Sequence, residues 1–303
     1  MYSVGVDIGG SHISCGVFDH KSRNLIKETL SYKKVNPHGS KSEILENWIC
    51  ALKEALEKLN KPILGVGIAM PGPFDYYNGI SKITDVEKLQ SLYNVNLRAE
   101  LANLLDINPT QIRFINDASA FSIAEARIGL AASYKRIVAI TLGTGLGASF
   151  TINGSPIVKD KRVPDGGFLY NQYYQNVLAD ELFSTRGIIN AYALKTGKEV
   201  KDVKTLYDNV KNEPEAKETL NEFGEKLADF LYPYLVEFGA EALVLGGNIS
   251  KAFEFFGNPI RKKLNFLDKI YVSEFGEEAA IIGSALLLDE DFYAEIKNTL
   301  KLM

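Results

Sequence analysis

The sequence predicts a two-domain α/β protein in which each domain is a mixed sheet covered by helices. One pattern, strand then glycine-rich turn then strand, occurs twice, over residues 4–18 and 137–152. Alternating helices and strands follow each copy, which is typical of a sheet covered by helices. With 303 residues the chain is long enough for two such domains.

Composition excludes several classes of protein. The chain is 46% hydrophobic and 24% charged, as is ordinary for a globular protein. A net charge of −4 without a basic block argues against a nucleic-acid partner. No apolar run approaches roughly 18 residues and no signal peptide is evident, so we expect a cytoplasmic protein that does not bind membranes. Cys15 and Cys50 are expected to be small buried residues rather than a disulfide.

Both glycine-rich turns are predicted to lie at the tips of hairpins. An apolar, β-branched run leads into each turn and another strand-like run leaves it. Glycine lets another molecule approach the backbone closely, and successive N–H groups in such a turn bind anions. Two such tips facing each other would hold a polyphosphate; their residues are Gly9, Gly10 and Ser11 in the first copy and Gly143, Thr144, Gly145 and Gly147 in the second.

The first half continues with a third strand and then alternates helices with buried strands. The helix from about residue 42 has Ser40 or Ser42 as its N-cap and apolar residues at helical spacing. The motif 70–73, Met-Pro-Gly-Pro, breaks the following strand abruptly. The predicted elements are a strand over 24–35, a helix over 42–59, a strand over 63–69, a helix over 97–105 and a strand over 112–115.

The second half repeats this organisation after its hairpin. Residues 153–176 are predicted to be irregular. The helices are expected over 118–132, 178–196, 202–211, 214–238, 249–256, 279–288 and 291–300, and the strands over 242–245 and 269–272. We place the domains at residues 1–117 and 118–289, with a terminal helix of about 290–303 packing back on the first. This order is that of the actin-like ATPase (ribonuclease H-like) fold, with a cleft between the domains.

Asp7 immediately precedes the first tip region. A carboxylate beside bound phosphate would repel it unless a cation lay between them, so a role in holding Mg²⁺ through water is indicated. The alternative is an aspartate that only initiates the turn. The second hairpin favours the Mg²⁺ role.

Asn116 and Asp117 follow a buried strand, at the strand end where ligands of α/β sheets bind. An aspartate there can accept the proton of an attacking hydroxyl. The structural alternative is an N-cap for the next helix, and the two roles are compatible, with Asn116 capping and Asp117 facing the cleft.

Two further turns are weaker signals taken alone. Gly246, Gly247 and Asn248 form a strand–turn–helix junction where a flat ring could lie against the backbone and a helix N-terminus attracts negative charge. Gly72 belongs to the rigid 70–73 turn, which could also be no more than a sharp connection.

Taken together, these motifs resemble those of the ROK family of sugar kinases and sugar-responsive repressors. They occur in the family's order and span nearly the whole chain. The matching segments are Asp-Ile-Gly-Gly-Ser at 7–11, Ala-Met-Pro-Gly-Pro at 69–73, Asn-Asp-Ala at 116–118, Leu-Gly-Thr-Gly-Leu-Gly at 142–147, Val-Leu-Gly-Gly-Asn-Ile at 244–249 and Ile-Ile-Gly-Ser-Ala at 281–285.

By this resemblance, Asp117 would be the base for phosphoryl transfer from ATP to a sugar hydroxyl. The two tips would hold the phosphates, Asp7 would serve the Mg²⁺ ion, and the turn 246–248 would lie near adenosine. Gly72 and Asn116 would line the sugar pocket, and the chain would form a homodimer.

The sequence departs from the family around residue 165. Many ROK proteins have Glu-x-Gly-His and then a zinc cluster rich in cysteine, but this chain has Asp165-Gly-Gly-Phe168. Its histidines all lie within the first 38 residues and its cysteines at 15 and 50. We therefore expect no structural zinc of the family type, because its ligands are missing.

The sugar pocket is the part of the predicted site that diverges. Asp165 and Glu181 are predicted to contact the sugar, with Asp180 an alternative to Glu181. The segment 79–92 lacks an Asn-rich sugar-binding pattern. Three tyrosines at 170, 173 and 174 could replace the zinc module, although such a cluster more often forms core or a dimer interface.

The predicted function is an ATP- and Mg²⁺-dependent carbohydrate kinase that phosphorylates a hexose or an N-acetylhexosamine. The alternative is a catalytically weak, regulatory ROK protein that binds nucleotide and sugar. With six residues ahead of Asp7, we expect no helix-turn-helix repressor domain.

Overall fold

The computed structural model describes residues 1–84 and 88–303, which form two compact units. Unit 1 comprises residues 1–124 and 277–303, and unit 2 comprises residues 125–276. Residues 85–87, part of the segment 79–92 considered above, lie outside the described residues.

The N-terminal part of unit 1 is built on a mixed sheet. Its elements are β1 (Tyr2–Ile8), β2 (His12–Asp19), β3 (Asn24–Lys34), α1 (Lys41–Leu59), β4 (Val66–Met70), β5 (Phe74–Asp75), β6 (Ile80–Ser81), α2 (Leu97–Leu105), β7 (Ile112–Asn116) and α3 (Asp117–Arg127). The strand order is β3-β2-β1-β4-β7, in which the first three strands are antiparallel and β4 and β7 run parallel to β1.

Helix α1 has the N-cap and the helical spacing of apolar residues that the sequence predicts. Ser40 is its N-cap, since the Ser40 side chain accepts a hydrogen bond from Glu43 N at 3.2 Å. Ile44, Trp48 and Leu52 recur every four residues and are buried. The expectation of a buried Cys50 is wrong: Cys50 is exposed, because two residues after Trp48 the helix has turned by about 200°.

Unit 2 repeats the sheet arrangement. Its elements are β8 (Arg136–Leu142), β9 (Leu146–Ile152), β10 (Ser155–Pro156), β11 (Tyr173–Tyr174), β12 (Val177–Leu178), α4 (Ala179–Leu182), α5 (Thr185–Thr196), α6 (Val203–Asp208), α7 (Pro214–Phe238), β13 (Ala242–Gly246), α8 (Phe253–Lys263) and β14 (Lys269–Val272). The strand order is β10-β9-β8-β13-β14, with β8 and β9 antiparallel and β13 and β14 parallel to β8.

Two predicted helices of unit 2 differ from the structure. The helix expected over 178–196 is interrupted at Ser184, whose extended backbone makes it the N-cap of α5. The helix expected from residue 249 begins as a 3₁₀ turn, Asn248–Ala252, and becomes α-helical only in α8.

The chain returns to unit 1 with α9 (Glu278–Ala285) and α10 (Glu290–Leu300). A methyl group placed on Gly283 would lie 1.8 Å from Ala120 O, so α9 packs directly on the first turns of α3. This contact keeps both segments in unit 1. The compact units are bounded at 124/125 and 276/277, and the domain division at 117/118 and 289/290 stays a prediction from the sequence. No helix within the described residues combines the length and apolar character needed to cross a membrane.

Candidate active site

The hairpin between β1 and β2 carries the first glycine-rich turn, residues 9–11, here called tip 1. Gly9 N donates to His12 O at 3.0 Å, and Ser11 O accepts from Val35 N at 2.9 Å. Within the described residues, the N–H groups of Gly10 and Ser11 have no acceptor. Tip 1 therefore presents backbone donors that can bind an anion.

The hairpin between β8 and β9 carries the second turn, residues 143–145, here called tip 2. Gly143 N donates to Gly145 O at 3.1 Å, while Gly143 O accepts from Thr185 N at 2.8 Å and from Thr185 Oγ1 at 2.9 Å. In the part of the chain that the structure describes, the N–H groups of Thr144 and Gly145 are without an acceptor. The same backbone arrangement thus occurs in both units.

A carboxylate lies directly on tip 2. Asp180 Oδ1 accepts a hydrogen bond from Leu146 N at 2.8 Å, and a methyl group on Gly145 would lie 2.8 Å from the same oxygen. Arg186 Nη2 is 3.4 Å from Asp180 Oδ2. Of the two acids left open by the sequence, Asp180 is the one in contact with the tip, whereas Glu181 is exposed on α4.

Asp7 lies next to the end of β1, close to tip 1. Burial, followed by the negative charges of Asp117 and Glu277, raises the pKa of Asp7 to about 7. This part of unit 1 therefore carries negative charge that a divalent cation would neutralise, and carboxylate oxygens are ligands that Mg²⁺ accepts. No group of three His, Cys, Asp or Glu side chains suited to a metal ion occurs among the described residues.

Asp117 begins α3 directly after β7. Asp117 Oδ1 accepts hydrogen bonds from Ala118 N at 2.8 Å and from Asn116 Nδ2 at 2.9 Å. Asn116 Oδ1 accepts from Ser119 N at 3.1 Å and so caps the helix. Burial raises the pKa of Asp117, although the hydrogen bonds from Ala118 and Asn116 oppose this shift. Among the described residues, no residue other than Asp117 itself donates a hydrogen bond to its Oδ2, which leaves this oxygen able to accept a proton.

Tyr76 links Asp117 to the 70–73 turn. Tyr76 Oη donates to Met70 O at 3.0 Å and lies 3.4 Å from Asn116 Nδ2. A methyl group on Gly72 would lie 3.4 Å from the same hydroxyl. The structure thus brings Gly72, Asn116 and Asp117 together through a buried tyrosine that sequence reasoning did not single out.

The turn 246–248 lies next to tip 2. Gly247 has φ 80°, and a methyl group there would lie 2.3 Å from Leu142 O, the last residue of β8. Only glycine fits such a close approach in that conformation. Lys251 Nζ donates to Asn248 Oδ1 at 2.7 Å, so this turn also carries a cation that the sequence analysis did not consider.

The other predicted sugar ligand is not gathered with these residues. Asp165 is exposed and follows Pro164 in a short 3₁₀ turn. None of the described residues contacts its carboxylate by a hydrogen bond or ion pair. Phe168 folds back on Gly166, where a methyl group would lie 2.5 Å from the ring, and its ring lies 5.6 Å from that of Tyr170.

The tyrosine-rich segment forms the small hairpin of β11 and β12. The Tyr174 ring lies 5.9 Å from Phe183 and 6.3 Å from Phe230, both buried. Tyr173 is 67% exposed and Tyr170 46% exposed. One tyrosine of the three therefore anchors the hairpin to the core of unit 2.

Tyr76, Glu277 and Lys88 escaped the sequence analysis because each reaches the site from a distant segment. Tyr76 follows Phe74-Asp75 in β5, and only its position soon after the 70–73 turn gave a local signal. Glu277 precedes α9 by one residue. Lys88 lies against Gly10 of tip 1.

Comparison with known proteins supports the predicted family. Residues 3–161 match the model of the ROK family. Glucokinase from Thermotoga maritima is 25% identical over 95% of this chain and 97% of its own length. N-acetyl-D-glucosamine kinase from Salmonella typhimurium is 34% identical, but over 50% of this chain and 47% of that protein, so the chain matches about half the length of that relative.

Solved structures confirm the predicted α/β fold. The ROK hexokinase from Thermus thermophilus superposes with a TM-score of 0.78 at 21% identity, over 98% of this chain and 100% of that one. A ROK family glucokinase from Streptomyces griseus, solved in complex with glucose and AMPPNP, gives 0.75 at 20% identity, over 95% and 99% of the two chains. The predicted sugar-kinase function agrees with the names of these relatives.

Proposed function

This chain belongs to the ROK family, and we propose that it is an ATP-dependent sugar kinase that transfers the γ-phosphate to a hydroxyl of a hexose or N-acetylhexosamine. The observation that carries the proposal is the environment of Asp117. One carboxylate oxygen is fixed by Ala118 N and Asn116 Nδ2, and no described residue other than Asp117 itself donates to the second oxygen. Such a group can orient a sugar hydroxyl and take its proton.

The raised pKa of Asp117 suits this role. A general base works best when its pKa approaches the operating pH, and proton transfer of this kind contributes about 10²- to 10⁴-fold to a rate. Burial raises the pKa of Asp117. In the proposed reaction the sugar oxygen attacks the γ-phosphorus as Asp117 accepts the hydroxyl proton, the bond from that phosphorus to the bridging oxygen breaks, and ADP leaves.

The remaining roles divide between the two units. Tip 1 and tip 2 each bind phosphate oxygens through free N–H groups, and the turn 246–248 lies near adenosine. Asp7 would hold Mg²⁺ through water. The ion supplies charge neutralisation on the phosphates when it is bound.

Sugar contacts are proposed for Gly72 and Asn116 of unit 1, which share the Tyr76 network with Asp117. In unit 2 we propose Asp180 as the first candidate for a sugar contact, because it contacts tip 2. Glu181 and Asp165 are weaker candidates, because both are exposed. A homodimer and a cytoplasmic location stay predictions from the sequence and the family.

The test is ADP release, measured with a coupled assay, from Mg·ATP and a panel of hexoses and N-acetylhexosamines. Asp117→Asn is the blank. Asp106→Asn is the matched control, because Asp106 is an exposed helix C-cap with φ 54°, a conformation that asparagine also tolerates. Turnover on one sugar that Asp117→Asn loses and Asp106→Asn keeps would support the proposal. ATP binding without turnover on any sugar would favour the regulatory alternative.

A further inference from the structure

Lys88 lies on the glycine-rich turn of unit 1. A methyl group placed on Gly10 would be 2.7 Å from Lys88 Cδ, 3.5 Å from Cε and 3.3 Å from Nζ. The outer half of the lysine side chain therefore covers the face of Gly10. On the neighbouring residue, a methyl group on Gly9 would be 2.6 Å from His12 Cε1, so both glycines of tip 1 are covered by side chains that contain basic nitrogen.

The backbone next to Lys88 is fixed relative to tip 1. Leu89 is 1% exposed, and its N–H donates to Pro37 O at 2.7 Å. Two residues before Pro37, Val35 N donates to Ser11 O of the tip at 2.9 Å. The segment that precedes α1 thus joins the backbone beside Lys88 to tip 1 through two hydrogen bonds.

The ammonium group of Lys88 is exposed and is not neutralised within the described residues, where no carboxylate lies within 4.0 Å of it. Two other lysines of unit 1 are paired: Lys41 Nζ is 2.8 Å from Glu100 Oε1, and Lys33 Nζ is 2.9 Å from Glu54 Oε2. The N–H groups of Gly10 and Ser11, in the same turn that Lys88 covers, also lack acceptors in the described chain. A positive charge and two backbone donors therefore lie together at tip 1, and no described carboxylate pairs with that charge.

We propose that Lys88 is a phosphate-binding residue of tip 1 and contacts the terminal phosphates of the bound nucleotide. This inference rests on the proposed function, since it takes ATP as the ligand of the tip. Lysine binds phosphate as a compact point charge with three donors. In phosphoryl transfer such a charge stabilises the β- and γ-phosphates. The His12 ring is stacked on Tyr32 at 5.5 Å, whereas Lys88 lays a flexible side chain over Gly10.

The first experiment measures the affinity of ATP, ADP and AMP for Lys88→Met by titration calorimetry. Methionine keeps an unbranched side chain over Gly10 and removes the charge. We expect the Kd of ATP to rise at least tenfold and that of AMP to change less than twofold, because AMP lacks the terminal phosphates. Lys88→Arg should restore part of the ATP affinity. Lys21→Met, at an exposed turn of the same unit, is the matched control and should bind all three nucleotides normally.

A second variant tests the contact between Lys88 and Gly10 by changing the glycine. Gly10→Ala would need only the end of the flexible Lys88 side chain to move, so the protein should fold. It should weaken ATP binding, and the double variant Gly10→Ala/Lys88→Met should bind ATP no more weakly than Lys88→Met alone. Residues in contact are non-additive in this way. Additive losses, or an unchanged ATP affinity in Lys88→Met, would overturn the inference.

These binding measurements test the role of Lys88 independently of the proposed kinase function. If no sugar is phosphorylated but ATP affinity depends on Lys88, the kinase proposal fails and the assignment of Lys88 stands. If a sugar is phosphorylated and Lys88→Met equals Lys21→Met in ATP affinity and turnover, the assignment of Lys88 fails and the kinase proposal stands.

Discussion

Tip 1 and tip 2 have the same backbone arrangement but are covered by side chains of opposite charge. In each, a hairpin turn leaves two N–H groups without an acceptor among the described residues, and a side chain from a distant segment covers one glycine. Over Gly10 that side chain is Lys88, and over Gly145 it is Asp180. The backbone arrangement is repeated, and residues outside the repeat give each copy its own chemistry.

The surroundings of the tips differ in the same sense. Near tip 1, burial and then the negative charge of Asp117 raise the pKa of Asp7. At tip 2, the neighbours hold the backbone instead, with Thr185 on Gly143 O and Asp180 on Leu146 N. We therefore expect changes to the acids of unit 1 to act mainly on the reaction, and changes at tip 2, like the loss of Lys88, to act mainly on binding.

The largest effect is expected from Asp117→Asn. Asparagine can keep the hydrogen bond from Ala118 N but cannot accept the sugar proton, so turnover should fall about 10²- to 10⁴-fold. The Kd of ATP should stay within a few-fold, measured by calorimetry beside the steady-state kinetics. Near-normal turnover would show that another group is the base, while a large loss of ATP affinity would remove the contrast drawn here between the units.

The next effect is expected at tip 2. Gly145→Val would place a branched side chain against Asp180 Oδ1, which lies 2.8 Å from the position of the first added carbon. Crowding of the tip should weaken ATP binding by at least about tenfold, or roughly 1.4 kcal/mol. Gly197→Asn is the control, because Gly197 is the exposed C-cap of α5 with φ 71°, a conformation that asparagine tolerates, and no atom lies within 4 Å of an added methyl group there. Equal ATP affinities of the two variants would refute the placement of phosphate at tip 2.

Local patterns were sufficient to predict the features that local chemistry determines. Alternating apolar residues and glycine predicted both hairpins, and helical spacing predicted the bounds of α2 and α7 as the structure has them. The Asn116-Asp117 junction was predicted because a buried strand and a helix N-cap both have recognisable local sequence patterns. These features depend on neighbours within about ten residues.

Lys88, Tyr76 and Asp180 could not be assigned to their positions from the sequence, because their partners are remote. The contact of Lys88 with Gly10 spans 78 positions, from 88 to 10, and the one between Leu146 and Asp180 spans 34. The extent of the two compact units depends on remote contacts in the same way, because α9 packs on α3. Cys50 is different: its position on the helix opposite Trp48 was readable, and the expectation that cysteine is buried overrode it.

A smaller effect should distinguish the two neighbouring acids of α4. Asp180→Asn keeps an acceptor for Leu146 N but removes the charge beside Arg186, so we expect the KM of the sugar to rise about tenfold, the order expected when a hydrogen bond to a charged group is weakened. Glu181→Gln, one residue on and exposed, should change it less than twofold. The measurement is steady-state kinetics on whichever sugar the panel assay shows to be phosphorylated. A larger effect in Glu181→Gln would favour Glu181, the residue first predicted.

The smallest effect concerns the stability of unit 1 without metal. Burial and the charges of Asp117 and Glu277 raise the pKa of Asp7 from 3.8 to about 7. The folded chain therefore binds more protons at this residue than the unfolded chain between about pH 4 and 7, and stability must fall as pH rises through that range. Asp7→Asn removes this contribution, so at pH 8 in a chelator the variant should melt roughly 3 °C or more above the wild type, whereas at pH 4 the two should agree. Asp106→Asn is the control, and its melting temperature should depend on pH as that of the wild type does. If the melting temperatures of Asp7→Asn and the wild type change in parallel with pH, the charge of Asp7 does not destabilise the folded chain.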